Sequence, residues 1–339
     1  MKRKLSHISF ESISECNLNC IYCYNHWKLP GNNTSFAYNH KKAVKTVQEV
    51  YKQADISHFT ITGGEPLLND YISEIILTAK INNSSVSIIS NGNADKNNDY
   101  ALLKELDVNL IMFPVHSANP DIHDAMTRIK TSWENSINSV IKAISSGLYV
   151  VPVIVLTRLN FKEIKETLLF LDSMGLKRIS VNRYNIGGAG INNAGISLNH
   201  SELRETFTII NQIAKDYKLY ITSNVCTPFC VIEPQDYPYI GFGSCGNDQY
   251  KRPITLDING NIRGCNHSPV IAGNIYRENI FEILEGEYIK SWNTIKPIYC
   301  QECSKLERCL GGCRAAAEQS GLSISHPDPL IFLNDNLYL

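Results

Sequence analysis

Between residues 6 and 183 the chain alternates short apolar runs with stretches of helical period. The runs are His7–Ser14, His58–Thr62, Val86–Asn91, Val108–Val115, Val150–Leu156 and Arg178–Arg183. They are rich in Val, Ile and Phe, which suits strands buried on both faces. Helical spacing predicts helices over His40–Ala54, Asp70–Ile81, Asp99–Leu106, Ser132–Gly147 and Lys162–Met174. Asn69 is placed to cap the second of these, and Gly147 and Gly175 sit where helices stop. Such β-α units, at a spacing of roughly 30 residues, imply a parallel sheet with right-handed crossovers. The expected fold class is α/β, as a partial (β/α)6 TIM-type barrel; a doubly wound open sheet is the alternative that the pattern alone does not separate.

From Tyr184 the texture changes. Gly187-Gly188-Ala189-Gly190 and Asn192-Asn193 form a flexible connection, followed by a helix at His200–Tyr217 and a short strand at Leu219–Thr222. Beyond Cys226 the chain is rich in loops and prolines, with a thin core that would need metal staples.

Composition narrows the function classes. At 339 residues and 43% hydrophobic, the chain can bury a real core, which excludes disorder. Lys+Arg 32 against Asp+Glu 33 leaves a net charge of -1, so no basic field draws in nucleic acid. The longest apolar stretch, Leu148–Leu156, is broken by Pro152 and is far short of a bilayer span. The basic Met1-Lys2-Arg3-Lys4 leads into polar residues rather than an export signal, so a cytoplasmic protein without membrane partners is expected.

The eleven cysteines are bunched. Cys16, Cys20 and Cys23 stand together, and Cys226, Cys230, Cys245, Cys265, Cys300, Cys303, Cys309 and Cys313 follow about two hundred residues later. An odd count in such a chain argues against a disulfide framework, and the tight spacings argue for thiolate coordination of metal. Scattered core cysteines would not form two groups. Three thiolates on one loop can hold three irons of a [4Fe–4S] cluster and leave the fourth open. A closed zinc site wants four ligands, and only His26 stands near enough in sequence to add one.

Polar residues gather at successive strand ends. Gly63-Gly64-Glu65-Pro66 follows the second run, where two glycines allow close backbone approach to a ligand and Glu65 adds an acceptor. Ser90-Asn91 ends the third, His116 the fourth, Thr157-Arg158 the fifth and Asn182-Arg183 the sixth. Loops at these ends build the site in barrels and open α/β sheets alike.

The stretch Cys16-Asn-Leu-Asn-Cys20-Ile-Tyr22-Cys23, with Gly63-Gly64-Glu65-Pro66 after the next strand, resembles the radical S-adenosylmethionine (radical SAM) superfamily. The resemblance implies a [4Fe–4S] cluster on Cys16, Cys20 and Cys23, with S-adenosylmethionine chelating its open iron. It places the methionyl amino group at Gly63–Glu65 beside Pro66, and adenine near Tyr22. Ser90 and Asn91 would reach the ribose or carboxylate, and Leu156 or Arg158 the adenosine or carboxylate. Gly260-x4-Cys265 followed by Cys300-x2-Cys303-x5-Cys309-x3-Cys313 is similar to the SPASM extension of these enzymes, which carries two auxiliary iron–sulfur clusters. The implied division is a barrel over 1–190, a bridging helix and strand over 191–240 and a SPASM domain over 241–339. By motif position Cys245, Cys265 and Cys313 serve the first auxiliary cluster, with Cys230 or Cys226 as its fourth ligand. Cys300, Cys303 and Cys309 serve the second.

Two departures bear on that carry-over. Asp328-Pro329-Leu330 is followed by Ile331 where the family has its last cysteine, so Asp328, His326, water or a three-iron form is expected to fill the second auxiliary site. Asn266 stands where the sulfatase-maturing branch has an Asp, which disfavours serine or cysteine oxidation; its neighbour His267 is a candidate base. The resemblance implies reductive cleavage of S-adenosylmethionine and hydrogen abstraction, in oxidative modification or crosslinking of a ribosomally made peptide. The alternatives are a small-molecule dehydrogenase or epimerase acting on an aminocyclitol or sugar, and a non-catalytic metal-bearing scaffold. The expected partners are a peptide substrate, a reductase such as flavodoxin or ferredoxin, and a separate leader-peptide-binding protein, because the first strand begins almost at Met1.

Overall fold

The apolar runs come together as neighbours in a single sheet. The computed structural model describes residues 2–29, 39–94 and 97–333. Strands β1 (Arg3–Glu11), β2 (Ala54–Thr62), β3 (Ser85–Ile89), β4 (Leu110–Pro114), β5 (Val150–Leu156) and β6 (Arg178–Arg183) lie side by side in chain order, all parallel. No reversal of order occurs along them. With right-handed crossovers, a one-directional order keeps every connecting helix on the same face, which is a curled barrel wall and not a doubly wound sheet. Those helices are α1 (His40–Gln53), α2 (Ile72–Ile81), α3 (Tyr100–Glu105), α4 (Pro120–Thr127), α5 (Ser132–Ser145) and α6 (Ile164–Ser173).

Helix α4 was not expected from periodicity, although Asn119-Pro120 supplies its signal: the Asn119 side chain accepts from the Asp121 amide and Pro120 opens the first turn. Asn69 does not cap α2, whose N-cap is Tyr71. Its buried amide instead accepts from Tyr71 N at 2.9 Å and donates to the Ser12 carbonyl at 2.8 Å, tying the helix entry to the chain just past β1.

The sheet does not stop at β6. Helix α7 (His200–Tyr217), closed by an Asn199/Glu202 capping box, leads to β7 (Tyr220–Ser223), and β8 (Ile240–Phe242) adds beyond it. On the other flank β9 (Ile254–Asp257) pairs parallel to β1, followed by antiparallel β10 (Asn261–Arg263) and β11 (Ile271–Asn274). Ile254, Leu256, Ile262 and Ile280 share the main core with Phe10 and Ile61. The expectation of a thin core beyond Cys226 is thus corrected for residues 254–284, where runs of three or four residues complete an existing sheet. Only the last part, with α8 (Glu287–Thr294), α9 (Leu306–Cys309) and α10 (Arg314–Gln319), packs in small separate clusters. No helix of the described residues is long and apolar enough to cross a membrane.

Candidate functional site

The cysteine loop leaves the C-terminal end of β1, and the glycine turn leaves the same end of β2. Gly64 N donates to the Ile13 carbonyl at 2.7 Å and Glu65 N to the Glu15 carbonyl at 2.8 Å. A Cβ on Gly63 would overlap the Ile13 oxygen, and one on Gly64 the Glu15 oxygen. The two glycines therefore serve first to let one loop lie against the backbone of the other. Pro66 is buried at the start of the turn that follows.

Glu65 is fully buried, and its carboxylate is spent inside the protein. It accepts from Leu67 N at 2.9 Å, Ser90 Oγ at 2.8 Å and Asn91 N at 2.6 Å. Burial pushes its pKa up to about 7, against the pull of these three donors. Asn91, held in this way, turns its Nδ2 to Asn17 Oδ1 at 2.8 Å and toward Cys16 Sγ at 3.6 Å.

His116, beyond β4, reaches Tyr22 with Nε2 at 2.6 Å, the rings meeting edge to face. Burial raises the Tyr22 pKa well above its ordinary value, and Cys20 adds to the shift. Burial raises the Cys20 thiol to about 12, Cys23 adds to the shift, and Tyr22 opposes it. Lys28 loses charge stability to burial, yet the Cys23, Cys16 and Cys20 sulfurs outweigh this and raise its pKa. Leu156 lies wholly in the core, and Arg158 turns to Glu202 at 3.3 Å.

The C-terminal cysteines follow β7, β8 and β10 and the short helices beyond them. Cys245 holds the Cys226 pKa well above its ordinary value, with Cys313 and Cys265 adding to the shift, while Cys226 takes Cys245 down to about 5. All four belong to or pack against the small cluster that holds Trp292. Burial takes Cys313 up to about 12, and the Asp328 charge adds to the shift. Burial takes the Cys300 thiol up to about 11, and Cys309, Cys230 and Cys303 add to the shift.

Strand-end charges hold these segments. Arg263 of β10, two residues before Cys265, is buried against Glu11 at the end of β1 and donates to the Ser268 carbonyl at 2.6 Å. Arg183, ending β6, pairs with buried Asp328 and donates to the Cys226 carbonyl at 2.8 Å. Between the cysteine groups, Asn266 Nδ2 donates to the Tyr24 hydroxyl at 2.7 Å, joining the neighbours of Cys23 and Cys265.

His267 has both ring nitrogens engaged, with Cys313 Sγ also 3.5 Å from Nδ1. Its Nε2 donates to the Ile186 carbonyl at 2.8 Å, its Nδ1 accepts from Asn185 at 2.9 Å, and burial lowers its pKa to about 3. Both ring nitrogens are thereby committed to holding Tyr184–Ile186 against the Cys265 loop.

Arg252 and Arg314 act as cations on Cys245 from buried positions. Arg252 Nε and Nη2 and Arg314 Nε and Nη1 have no hydrogen-bond partner within the protein. Orphaned guanidinium donors beside four thiols suit a bulky anionic group such as a thiolate-ligated iron–sulfur cluster. Among the described residues, no three His, Cys, Asp or Glu side chains converge tightly enough for one metal ion. Thiol donors, an Asn91 amide, a Tyr22 hydroxyl and Lys28 likewise make the first group a fitting cradle for an anionic cluster.

Residues 10–171 match the Radical SAM superfamily. The chain carries a radical SAM domain. That domain runs from the last two residues of β1 through most of α6, and so includes the Cys16–Cys23 loop and the Gly63–Pro66 turn. The chain is similar to the antilisterial bacteriocin subtilosin biosynthesis protein AlbA of Bacillus subtilis, 21% identical over 91% of this chain and 66% of that protein. A probable GTP 3',8-cyclase of Saccharolobus islandicus is 25% identical over 84% of this chain and 89% of its own length. In fold, Streptococcus suis SuiB bound to S-adenosylmethionine superposes with a TM-score of 0.73 at 15% identity, covering 97% of this chain and 77% of SuiB. Native anSMEcpe with bound AdoMet and the Cp18Cys peptide gives 0.71 at 16%, covering 97% and 94%. The partial barrel expected from the sequence is thus the fold that radical SAM proteins of this kind share.

Proposed function

We propose that this radical SAM enzyme binds a [4Fe–4S] cluster on Cys16, Cys20 and Cys23 and oxidatively modifies or crosslinks a peptide. The observation that carries this reading is the placement of Cys16, Cys20 and Cys23 in a loop at the C-terminal end of β1, which the Gly63–Pro66 turn, Asn91 and His116 hold from three successive strands. When bound and reduced, the cluster with S-adenosylmethionine supplies a 5′-deoxyadenosyl radical able to take hydrogen from an unactivated C–H bond. The protein's share is positional. Asn91 and Tyr22 fix the loop sulfurs, Lys28 offsets their charge, and the buried walls keep water from the reacting carbon. The C-terminal thiols would carry two auxiliary clusters that accept the electron left on the substrate, making the net change an oxidation.

A peptide substrate is supported by the likeness to AlbA and by neighbours captured with peptides, SuiB with its precursor SuiA among them. A leader-binding protein and a flavodoxin- or ferredoxin-like donor complete the proposed assembly. The similarity to GTP 3',8-cyclases favours a nucleotide as a second reading. Against it, a triphosphate needs free cations, and the strand-end guanidiniums Arg183 and Arg263 are already paired with Asp328 and Glu11.

Anaerobic reconstitution tests the proposal. Iron, sulfide and 5′-deoxyadenosine are assayed with dithionite, beside a Cys16/Cys20/Cys23→Ala variant. About twelve irons per chain, about eight in the variant, and deoxyadenosine from the wild type alone are expected for three four-iron clusters. Zinc in place of iron, or no deoxyadenosine, refutes it. Stimulation of turnover by GTP and not by peptide would select the second reading.

A further inference from the structure

We propose that Cys230 is the fourth ligand of the second auxiliary site, doing the work for which the sequence offers no cysteine beyond Cys313. The proposal deepens the cluster reading above and rests on it. The two side chains named from sequence are otherwise engaged. Asp328 is buried, and both its oxygens are already engaged: it pairs with Arg183 and accepts from Cys313 N at 2.8 Å and Leu330 N at 3.0 Å. His326 is exposed and closes a local turn through Nδ1 to Ser323 Oγ at 3.0 Å.

The segment round Cys230 is instead stitched to the one that carries Cys303 and Cys309. Phe229 N donates to Cys309 Sγ at 3.3 Å. Glu233 pairs with Lys305 at 2.6 Å and Arg308 at 3.6 Å, and the Arg308 guanidinium lies over the Phe229 ring. Pro228 packs on Gly312, where a Cβ would overlap its ring. Arg204, from α7, holds the Cys230 carbonyl at 3.1 Å.

The spacing then makes sense. Cys226-x3-Cys230 and Cys309-x3-Cys313 are two strips of chain lying together, and each spans both cradles. Cys226 and Cys313 go to the cluster that holds Trp292, while Phe229, next to Cys230, donates to Cys309, which shares one tightly turned stretch with Cys300 and Cys303. The cysteines thus divide into a set of three and two sets of four, with none unused.

Thiol footprinting of the full chain tests this without a variant that must fold. Reconstituted and chelator-stripped protein are alkylated anaerobically with iodoacetamide, and each cysteine is read by mass spectrometry. Cys230 is exposed, so burial does not shield it. If it is a ligand, its labelling falls about tenfold or more on loading, because metal-bound thiolate is not a free nucleophile. Equal labelling of Cys230 in both forms, with Cys300, Cys303 and Cys309 protected, overturns the proposal while leaving the clusters in place. Failure to take up iron at all refutes the underlying cluster reading and this proposal with it. Two variants decide the partner set. In Cys309→Ala, Cys230 is expected to become labelled together with Cys300 and Cys303; protection that is lost in Cys265→Ala instead would assign Cys230 to the other site and refute the proposal.

Discussion

His116 donates a hydrogen bond to the phenol oxygen of Tyr22. The direction follows from the other ring nitrogen: Nδ1 accepts the Val155 amide at 3.2 Å, so the hydrogen is on Nε2, 2.6 Å from Tyr22 Oη. Burial drives the imidazole pKa far down and keeps it neutral. Its oxygen receiving, the Tyr22 hydroxyl has its own hydrogen to give, and it lowers the Cys20 pKa against the larger effect of burial. A backbone amide of β5 thus orients, through His116, a hydroxyl that acts on a cluster-loop sulfur.

A donor to a cluster thiolate stabilises the reduced, more negative state. Tyr22→Phe should therefore lower the midpoint potential of the first cluster by on the order of 50 mV, taking a net hydrogen bond as about 1 kcal/mol. His116→Gln, which can still donate to the phenol, should shift it by less. EPR-monitored reductive titration measures both, and an unchanged potential in Tyr22→Phe would show that the hydroxyl does not act on the cluster.

Gly64→Ala places a methyl group on the Glu15 carbonyl, a backbone atom with nowhere to go. The variant should lose about 3 kcal/mol or more of stability and fail to retain the first cluster. Gly175→Ala is the control. Its φ of +81° is strained for alanine, but nothing lies within 4 Å, so about 1–2 kcal/mol is expected with iron content intact. Urea unfolding and iron assay report the two quantities.

Glu65 predicts a pH dependence. Its carboxyl is raised from 4.5 to about 7 in the folded chain, so the folded state holds a proton that the unfolded state has released between those values. Stability from this group is present below pH 4.5 and is lost as pH rises through 7. Glu65→Gln lacks that slope. Its stability relative to wild type should improve by about 3 kcal/mol between pH 4 and 8, over a constant offset from altered hydrogen bonds. Denaturant midpoints across this range, measured on cluster-free protein, would contradict the assignment if the two profiles ran parallel.

Much of this arrangement was legible beforehand, and the parts that were not share a cause. Strands β5 and β6 have the bounds that their apolar runs predict, because a strand buried on both faces is written wholly in adjacent residues. The Cys16–Cys23 and Gly63–Pro66 motifs are similarly local. Strands β9 to β11 were missed because three- or four-residue runs carry no period and become strands only beside β1. The partners of Cys226 and Cys230 were ambiguous for the same reason: their sorting depends on Arg183, Arg204 and Glu233 contacts made across long sequence separations. Sequence shows the His267 imidazole and not the two groups that occupy it.

Arg314 separates the stability of the empty protein from that of the loaded one. Its guanidinium is buried with Nε and Nη1 unpaired, a desolvation cost that the thiols alone do not repay. An anionic cluster between Cys226, Cys245, Cys265 and Cys313 would supply the missing acceptors and counter-charge. Arg314→Met keeps the side-chain volume and removes both the cost and the reward. The variant should raise the cluster-free unfolding free energy by about 1 kcal/mol and, when loaded, release iron to a chelator several-fold faster than wild type. Opposite signs in the two states are the signature of a residue kept for the cluster; destabilisation in both would make Arg314 an ordinary packing residue.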